Sequence, residues 1–229
     1  WWVFEKFATN STPLMKTSAL NAFDTVLVLA PHTDDGELGC GGTIHKLLSL
    51  GKKVVYVAFS TCEESVPEGF PSDVLSHEVK AATSTLGIPS EDLVILDFKV
   101  RYFPRDRQEI LESMVGLNKE YKPDLVFCPS SYDIHQDHGT VSMEAKRAFK
   151  NTTLLGYEFI WNNFQFASQC FIELNESDVA KKVAAMECYK SQSKRLYAKD
   201  KLIRGVANYR GLQANVEFAE AFEVIRWII

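Results

Sequence analysis

Cysteine is sparse and scattered in this chain. Its five residues, Cys40, Cys62, Cys128, Cys170 and Cys188, form no C-x-x-C pair along the 229 positions. That spacing excludes a disulfide framework and a cysteine-based zinc site, and the expected setting is reducing and cytoplasmic. Long apolar runs are missing too. No stretch approaches the ~20 residues that span a bilayer, and Trp1-Trp2-Val3-Phe4 is cut short by Glu5 and Lys6, too brief for a signal h-region. Clusters of lysine and arginine are also absent. With a formal net charge of -5, the composition argues against nucleic acid as a partner. What remains is ordinary globular material, 46% hydrophobic, which is enough for a large core.

Short apolar runs alternate with amphipathic stretches. Thr25–Ala30, Lys53–Phe59, Leu93–Leu96 and Asp124–Cys128 read as strands, the first apolar almost throughout, as suits a parallel strand buried on both faces. Helices are expected around Thr43–Leu50, closed by Gly51, over Ser72–Leu86, over Gln108–Tyr121 and near Gly139–Lys150. Two β-like runs follow, Leu154–Trp161 and Phe166–Leu174, then a capped helix from near Ser177, a basic stretch through Lys201 and a closing strand at Phe222–Trp227. Strands separated by helices imply βαβ units and a Rossmann-like α/β fold with an open, mostly parallel sheet. The expected strand order is 3-2-1-4-5 with a C-terminal β extension. No linker or repeat interrupts the pattern, so one domain over 24–229 is expected. Residues 1–23 read as an N-terminal extension, since Met15 stands just ahead of the first convincing strand.

Two segments place metal-ligand residue types directly after strands. One is Pro31-His32-Thr33-Asp34-Asp35-Gly36-Glu37-Leu38-Gly39-Cys40-Gly41-Gly42; the other is His135-Gln136-Asp137-His138. In open parallel sheets, ligands bind at the carboxyl ends of strands where the strand order reverses. With strands one and four adjacent, both segments face one crevice and bring three of the five histidines together with several carboxylates. Two imidazoles and a carboxylate suit zinc and leave a position for water. Of the pair Asp34-Asp35, one carboxylate can bind metal while the other accepts a proton from water. Taken singly, an Asp-Asp pair is more often a turn or helix cap, and H-x-x-H is a weak pattern. His45 and His77 lack clustered partners and read as packing or surface residues.

Ala30 to Thr43 resembles the A-H-P-D-D-x-E-x-G-x-G-G-T signature of the PIG-L/LmbE-like zinc-dependent N-acetylglucosaminyl deacetylases. The likeness continues through Thr61 and Glu64, through Glu78…Ala82…Leu86-Gly87, and through Tyr189-Lys190-Ser191-Gln192 and Ala219-Glu220-Ala221-Phe222. The resemblance implies that His32, Asp35 and His138 hold one divalent metal per chain, expected to be zinc. It also implies that Asp34 is the general base, that His135 stabilises the oxyanion or protonates the leaving amine, and that Asp137 orients His135. The implied substrate is a small molecule or glycoconjugate bearing an acetylated amino sugar. Thr33 stands where the family has proline, Glu63 where it has glycine, and Val100 where it often has a sugar-binding aspartate. The candidate substrate contacts are therefore Glu37, Asp97, Arg101 and Arg210. Two rival readings stand beside this one: a metal-dependent hydrolase of a non-sugar amide or phosphoester, and a non-catalytic metal-binding module. The aglycone and the oligomeric state are left open, a homo-oligomer included.

Overall fold

A computed structural model describes residues 19–228. Its centre is a seven-stranded sheet in the order β3-β2-β1-β4-β5-β7-β6. The strands are β1 (Thr25–Ala30), β2 (Lys53–Ala58), β3 (Leu93–Ile95), β4 (Leu125–Pro129), β5 (Thr153–Tyr157), β6 (Cys170–Leu174) and β7 (Phe218–Arg226). Strands β1 to β5 run parallel, and β7 pairs antiparallel with both β5 and β6. The expected order 3-2-1-4-5 with a C-terminal β extension therefore holds.

Period-two alternation sends each central strand into two cores. Val26, Val28 and Ala30 of β1 join one cluster with α1 (Asp35–Ser49), α2 (Val74–Leu86), α5 (Glu176–Met186) and α6 (Asp200–Ala214). Leu27 and Leu29 join the other with α3 (Arg107–Tyr121) and α4 (Gln136–Ala148). The chain moves outward from β1 to β2 and β3, then returns to β4 on the opposite side. The reversal opens a crevice at the carboxyl ends of β1 and β4.

Several boundaries differ from the sequence expectation. Helix α1 starts at Asp35 and runs through Gly39–Gly42, with a break in helical geometry at Cys40 (φ -148°, ψ 27°). Its glycines are needed for contact with the sheet. A Cβ on Gly36 would enter the Tyr56 ring, and one on Gly39 the Tyr157 ring. Helix α4 likewise begins at Gln136, a turn before Gly139, and α5 is capped by Asn175, whose side chain and Asp178 form a reciprocal capping box. Strand β5 stops at Tyr157, short of Trp161. Asn163 Oδ1 accepts the Phe159 N–H at 2.7 Å and turns the chain off the sheet. Strand β7 starts at Phe218. Helix α6 lies between the basic stretch and the closing strand, where no helix was expected, because its buried stripe, Ile203, Ala207, Arg210 and Gly211, mixes a charged residue and a glycine with the apolar ones.

Of the expected extension 1–23, residues 1–18 lie outside the described residues. Residues 19–23 belong to the fold, with Leu20 and Phe23 buried in the first core.

The Gly39 contact yields a stability test. Gly39→Ala should lower unfolding stability by about 1–3 kcal/mol, since Tyr157 is fully buried and tied by its hydroxyl to the Leu29 carbonyl. A urea midpoint indistinguishable from wild type would show that α1 can lift off the sheet at no cost.

Candidate metal centre and active site

His32 stands two residues beyond β1, Asp35 opens α1, and His138 lies in the first turn of α4. Their polar atoms converge. His32 Nδ1 is 3.1 Å from Asp35 Oδ2, His138 Nε2 is 3.2 Å from the same oxygen, and the two nitrogens are 3.2 Å apart. A tetrahedral cation with bonds of about 2.0–2.1 Å spaces its ligands roughly 3.3–3.4 Å apart. The triangle therefore has the size, and the donor set the chemistry, for one zinc-like ion.

Each imidazole is locked by a carboxylate on its far side. His32 Nε2 faces Asp137 Oδ2 at 3.1 Å, and His138 Nδ1 faces Asp133 Oδ2 at 2.7 Å. This turns Nδ1 of His32 and Nε2 of His138 toward the triangle, the usual arrangement around a metal-binding histidine. Burial opposes charge on both rings, but the neighbouring carboxylates outweigh it and raise His32 to about 9 and His138 to about 10. Burial would likewise raise Asp35, yet His138 and His32 hold its carboxyl well below the usual range. The cluster is a negative pocket that attracts cations, whether protons or a metal.

Asp34 is half-buried beside the triangle, at the N-cap position of α1, but makes no side-chain cap bond. Burial first, and then the charge of Asp35, raises its carboxyl to about 6. His135 caps α4: its Nδ1 accepts the Asp137 N–H at 3.2 Å. Nδ1 is thus unprotonated, and in the neutral ring Nε2 carries the proton. Burial and the nearby His138 and His32 lower its pKa, with Asp137 only partly opposing them. Asp137, expected to orient His135, meets it through its backbone N–H, while its carboxylate lies elsewhere. That carboxylate binds His32 and the backbone N–H groups of Arg101 (2.6 Å) and Phe103 (3.3 Å). Ligand atoms of His32, His135 and His138 also lie within 4.8 Å of one another, a looser set than the His32–Asp35–His138 triangle.

The site opens into a cleft of about 320 Å³, lined among others by Asp34, Val100, Arg101, Trp161, Arg195 and Tyr197. Of the four expected substrate contacts only Arg101 lines it. Glu37 is buried behind the site, held by the Tyr56 and Tyr189 hydroxyls, and burial pushes its carboxyl up to about 8. Asp97 is exposed on the loop after β3 and does not reach the cleft. Arg210 points into a neighbouring cavity, where its guanidinium is forked onto Glu158.

Sequence reasoning missed Asp133, whose only signal was its place five residues before His138. It also missed the wall contributed by Trp161, Gln192, Arg195 and Tyr197. The distant motifs turn out to be supports. Glu78 accepts from the backbone N–H (2.8 Å) and hydroxyl (2.5 Å) of Ser191, fixing the segment that carries Gln192 and Arg195. Glu220 accepts the N–H groups of Gly42 (3.1 Å) and Thr43 (2.7 Å) within α1.

The chain matches the family model described as PIG-L: GlcNAc-PI de-N-acetylase over residues 27–149, a span that runs from β1 through the whole of the triangle. It belongs to the PIG-L family. Within that family's reach, it is 30% identical over 139 residues to diacetylchitobiose deacetylase of Thermococcus kodakarensis, an alignment covering 55% of this chain. The aligned region spans half the length of that relative. Among solved structures, N,N'-diacetylchitobiose deacetylase from Pyrococcus horikoshii superposes with a TM-score of 0.75 at 21% identity, over 90% of this chain and 85% of that one. GalB, the 4-carboxy-2-hydroxymuconate hydratase of Pseudomonas putida, superposes with 0.73 at 19% identity, over 90% and 98%. The fold of this PIG-L-family chain is thus shared by proteins named for different reactions, and the fold alone does not choose among them.

Asp133 supplies the test of the centre's construction. Asp133→Ala should weaken divalent-metal affinity about 10- to 100-fold, the usual cost of removing the carboxylate behind a metal-binding imidazole. Competition with a calibrated chelator measures it, and an unchanged affinity would show that His138 needs no orienting partner.

Proposed function

We propose that this chain is a metal-dependent N-deacetylase that removes the acetyl group from an N-acetylglucosamine-like amino sugar or its conjugate, releasing acetate and a free amine. His32, Asp35 and His138 hold one divalent cation, zinc by the chemistry of two imidazoles and a carboxylate. The observation that carries the reading is the adjacency in Asp34-Asp35. One carboxylate completes the triangle while its neighbour stands beside it with no ion-pair partner among the described residues. A purely structural metal site has no use for that second, half-buried carboxylate. Family membership and the similarity to proteins named as deacetylases support the same reaction.

When bound, the cation supplies a Lewis acid for water and for the acyl oxygen. Asp34 accepts the proton of the attacking water and returns it to the departing amine. His135 donates its Nε2–H to the oxygen on which negative charge develops, acting as a neutral donor. Of the two roles the resemblance implied, this is oxyanion stabilisation rather than protonation of the amine, because Nδ1 is already occupied as an acceptor and neighbouring imidazoles disfavour a second proton. Trp161 stacks on Tyr197 with ring centroids 4.4 Å apart and offers a flat wall for the apolar face of a sugar.

The metal-loaded protein should release free amine and acetate from N-acetylglucosamine or its glycosides, and chelation should abolish release. No amine from any acetamido sugar at full metal occupancy would overturn the reading.

Two variants separate the roles. Asp34→Asn should retain the metal and lose turnover by roughly 10²–10⁴-fold; near-normal kcat would remove Asp34 from the mechanism. His135→Ala should keep the metal and lose about 10²–10³-fold in kcat, whereas His135→Gln, which restores a neutral N–H donor, should recover part of that loss. Equal loss in both variants would favour proton transfer over hydrogen-bond donation, and loss of metal would make His135 a ligand.

A further inference from the structure

We propose that Arg101 and Arg195 form an anion-recognition pair, so that the conjugate deacetylated here carries a phosphate or carboxylate group beside its acetylated amine. The proposal rests on the deacetylase reading for the reaction, but its geometry is independent of that reading. The chain holds eight arginines, all within the described residues. Five of them, Arg105, Arg107, Arg147, Arg204 and Arg210, form ion pairs with aspartate or glutamate. Arg226 donates to the backbone carbonyls of Phe149 and Lys146. The remaining two, Arg101 and Arg195, have no acidic partner among the described residues, and both line the metal cleft. In a chain with 30 acidic and only 25 basic residues, two exposed guanidiniums without an acidic partner among the described residues, in one cleft, offer a site for an anion from outside.

Both are held in place. Arg101 adopts a left-handed backbone (φ 72°), a conformation disfavoured for any residue with a Cβ and often retained at ligand sites. Its N–H donates to Asp137 Oδ2 at 2.6 Å, the same oxygen that faces His32 Nε2 at 3.1 Å. One carboxylate therefore fixes the distance between Arg101 and the metal triangle. In the segment after α5 that also lines the cleft, Arg195 Nε donates to Gln192 Oε1 at 2.6 Å, and its guanidinium lies 5.7 Å from the centre of the Tyr197 ring. Arg195 is also near enough for its charge to act on Asp34. A planar guanidinium pairs with phosphate or carboxylate through two parallel hydrogen bonds, a geometry that lysine does not supply.

The test uses the metal-loaded protein. We compare kcat/KM on N-acetylglucosamine 1-phosphate, N-acetylglucosamine 6-phosphate and N-acetylmuramic acid with kcat/KM on neutral methyl N-acetylglucosaminide. Wild type should favour at least one anionic substrate by tenfold or more, through KM, and rising ionic strength should erode the preference. Which substrate is favoured separates phosphate from carboxylate as the natural group. Arg101→Gly and Arg195→Gln should each lower the anionic-to-neutral ratio about tenfold, and the double variant should bring it near 1. Glycine also relieves the left-handed strain, so Arg101→Gly should unfold at the same or a higher temperature, separating lost recognition from lost structure. Equal or better turnover of the neutral glycoside by wild type, or an unchanged ratio in the double variant, overturns the proposal. If nothing is hydrolysed, the deacetylase reading fails instead. Calorimetric binding of glucosamine 1-phosphate and glucosamine 6-phosphate then decides: tenfold weaker binding by the double variant upholds the anion pair, and equal binding refutes it.

Discussion

One oxygen atom organises this molecule. Asp35 Oδ2 lies within 3.2 Å of imidazole nitrogens that arrive from opposite sides of the sheet reversal, His32 after β1 and His138 after β4. Two imidazoles so close repel each other if both are charged, and a buried carboxylate is costly if alone. The arrangement is stable only with positive charge at its centre, supplied by protons or by a metal ion. This requirement explains the surrounding structure. Asp137 and Asp133 fix which nitrogen of each ring faces inward, and the His32 N–H donates to Asp35 Oδ2 at 2.8 Å to close the loop on itself.

A second set of contacts holds the loop against the sheet. The Thr33 carbonyl accepts the hydroxyls of Tyr56 (2.8 Å) and Tyr189 (2.6 Å), both of which also meet Glu37 behind the site. The two hydroxyl protons are shared between the Thr33 carbonyl and the Glu37 carboxyl, and burial raises that carboxyl to about 8 although both hydroxyls favour its charged form. Glu37 thus acts through the loop, and its nearness in sequence to Asp34 and Asp35 gives no access to the cleft. Glycine at 36 and 39 lets α1 approach these aromatic rings closely enough for Asp35 to reach the triangle.

The strands, their order and the two segments rich in histidine and aspartate were legible because they rest on strong local signals. β1 and β4 are apolar on both faces, and histidines and aspartates follow each directly. Contacts between segments distant in sequence were much less legible. Asp137 was read as orienting His135, which its backbone N–H meets, but nothing in the sequence pointed its carboxylate toward His32, 105 residues away. Asp133 carried no signal beyond its place five residues before His138. The wall at Trp161 and Tyr197 joins two segments distant in sequence through ring stacking, which hydrophobic periodicity does not encode. Arg210, expected at the substrate, is taken up by Glu158 in a separate cavity.

The central claim is that two imidazoles and one carboxylate, with His135 left free as a donor, hold the cation in the proposed chemistry. X-ray absorption spectroscopy of the metal-loaded protein tests it most directly. The account predicts two imidazole nitrogens with the remaining light ligands as oxygen, at about 2.0–2.2 Å, and a spectrum unchanged in His135→Ala. A first shell of three imidazoles that drops to two in that variant would contradict it.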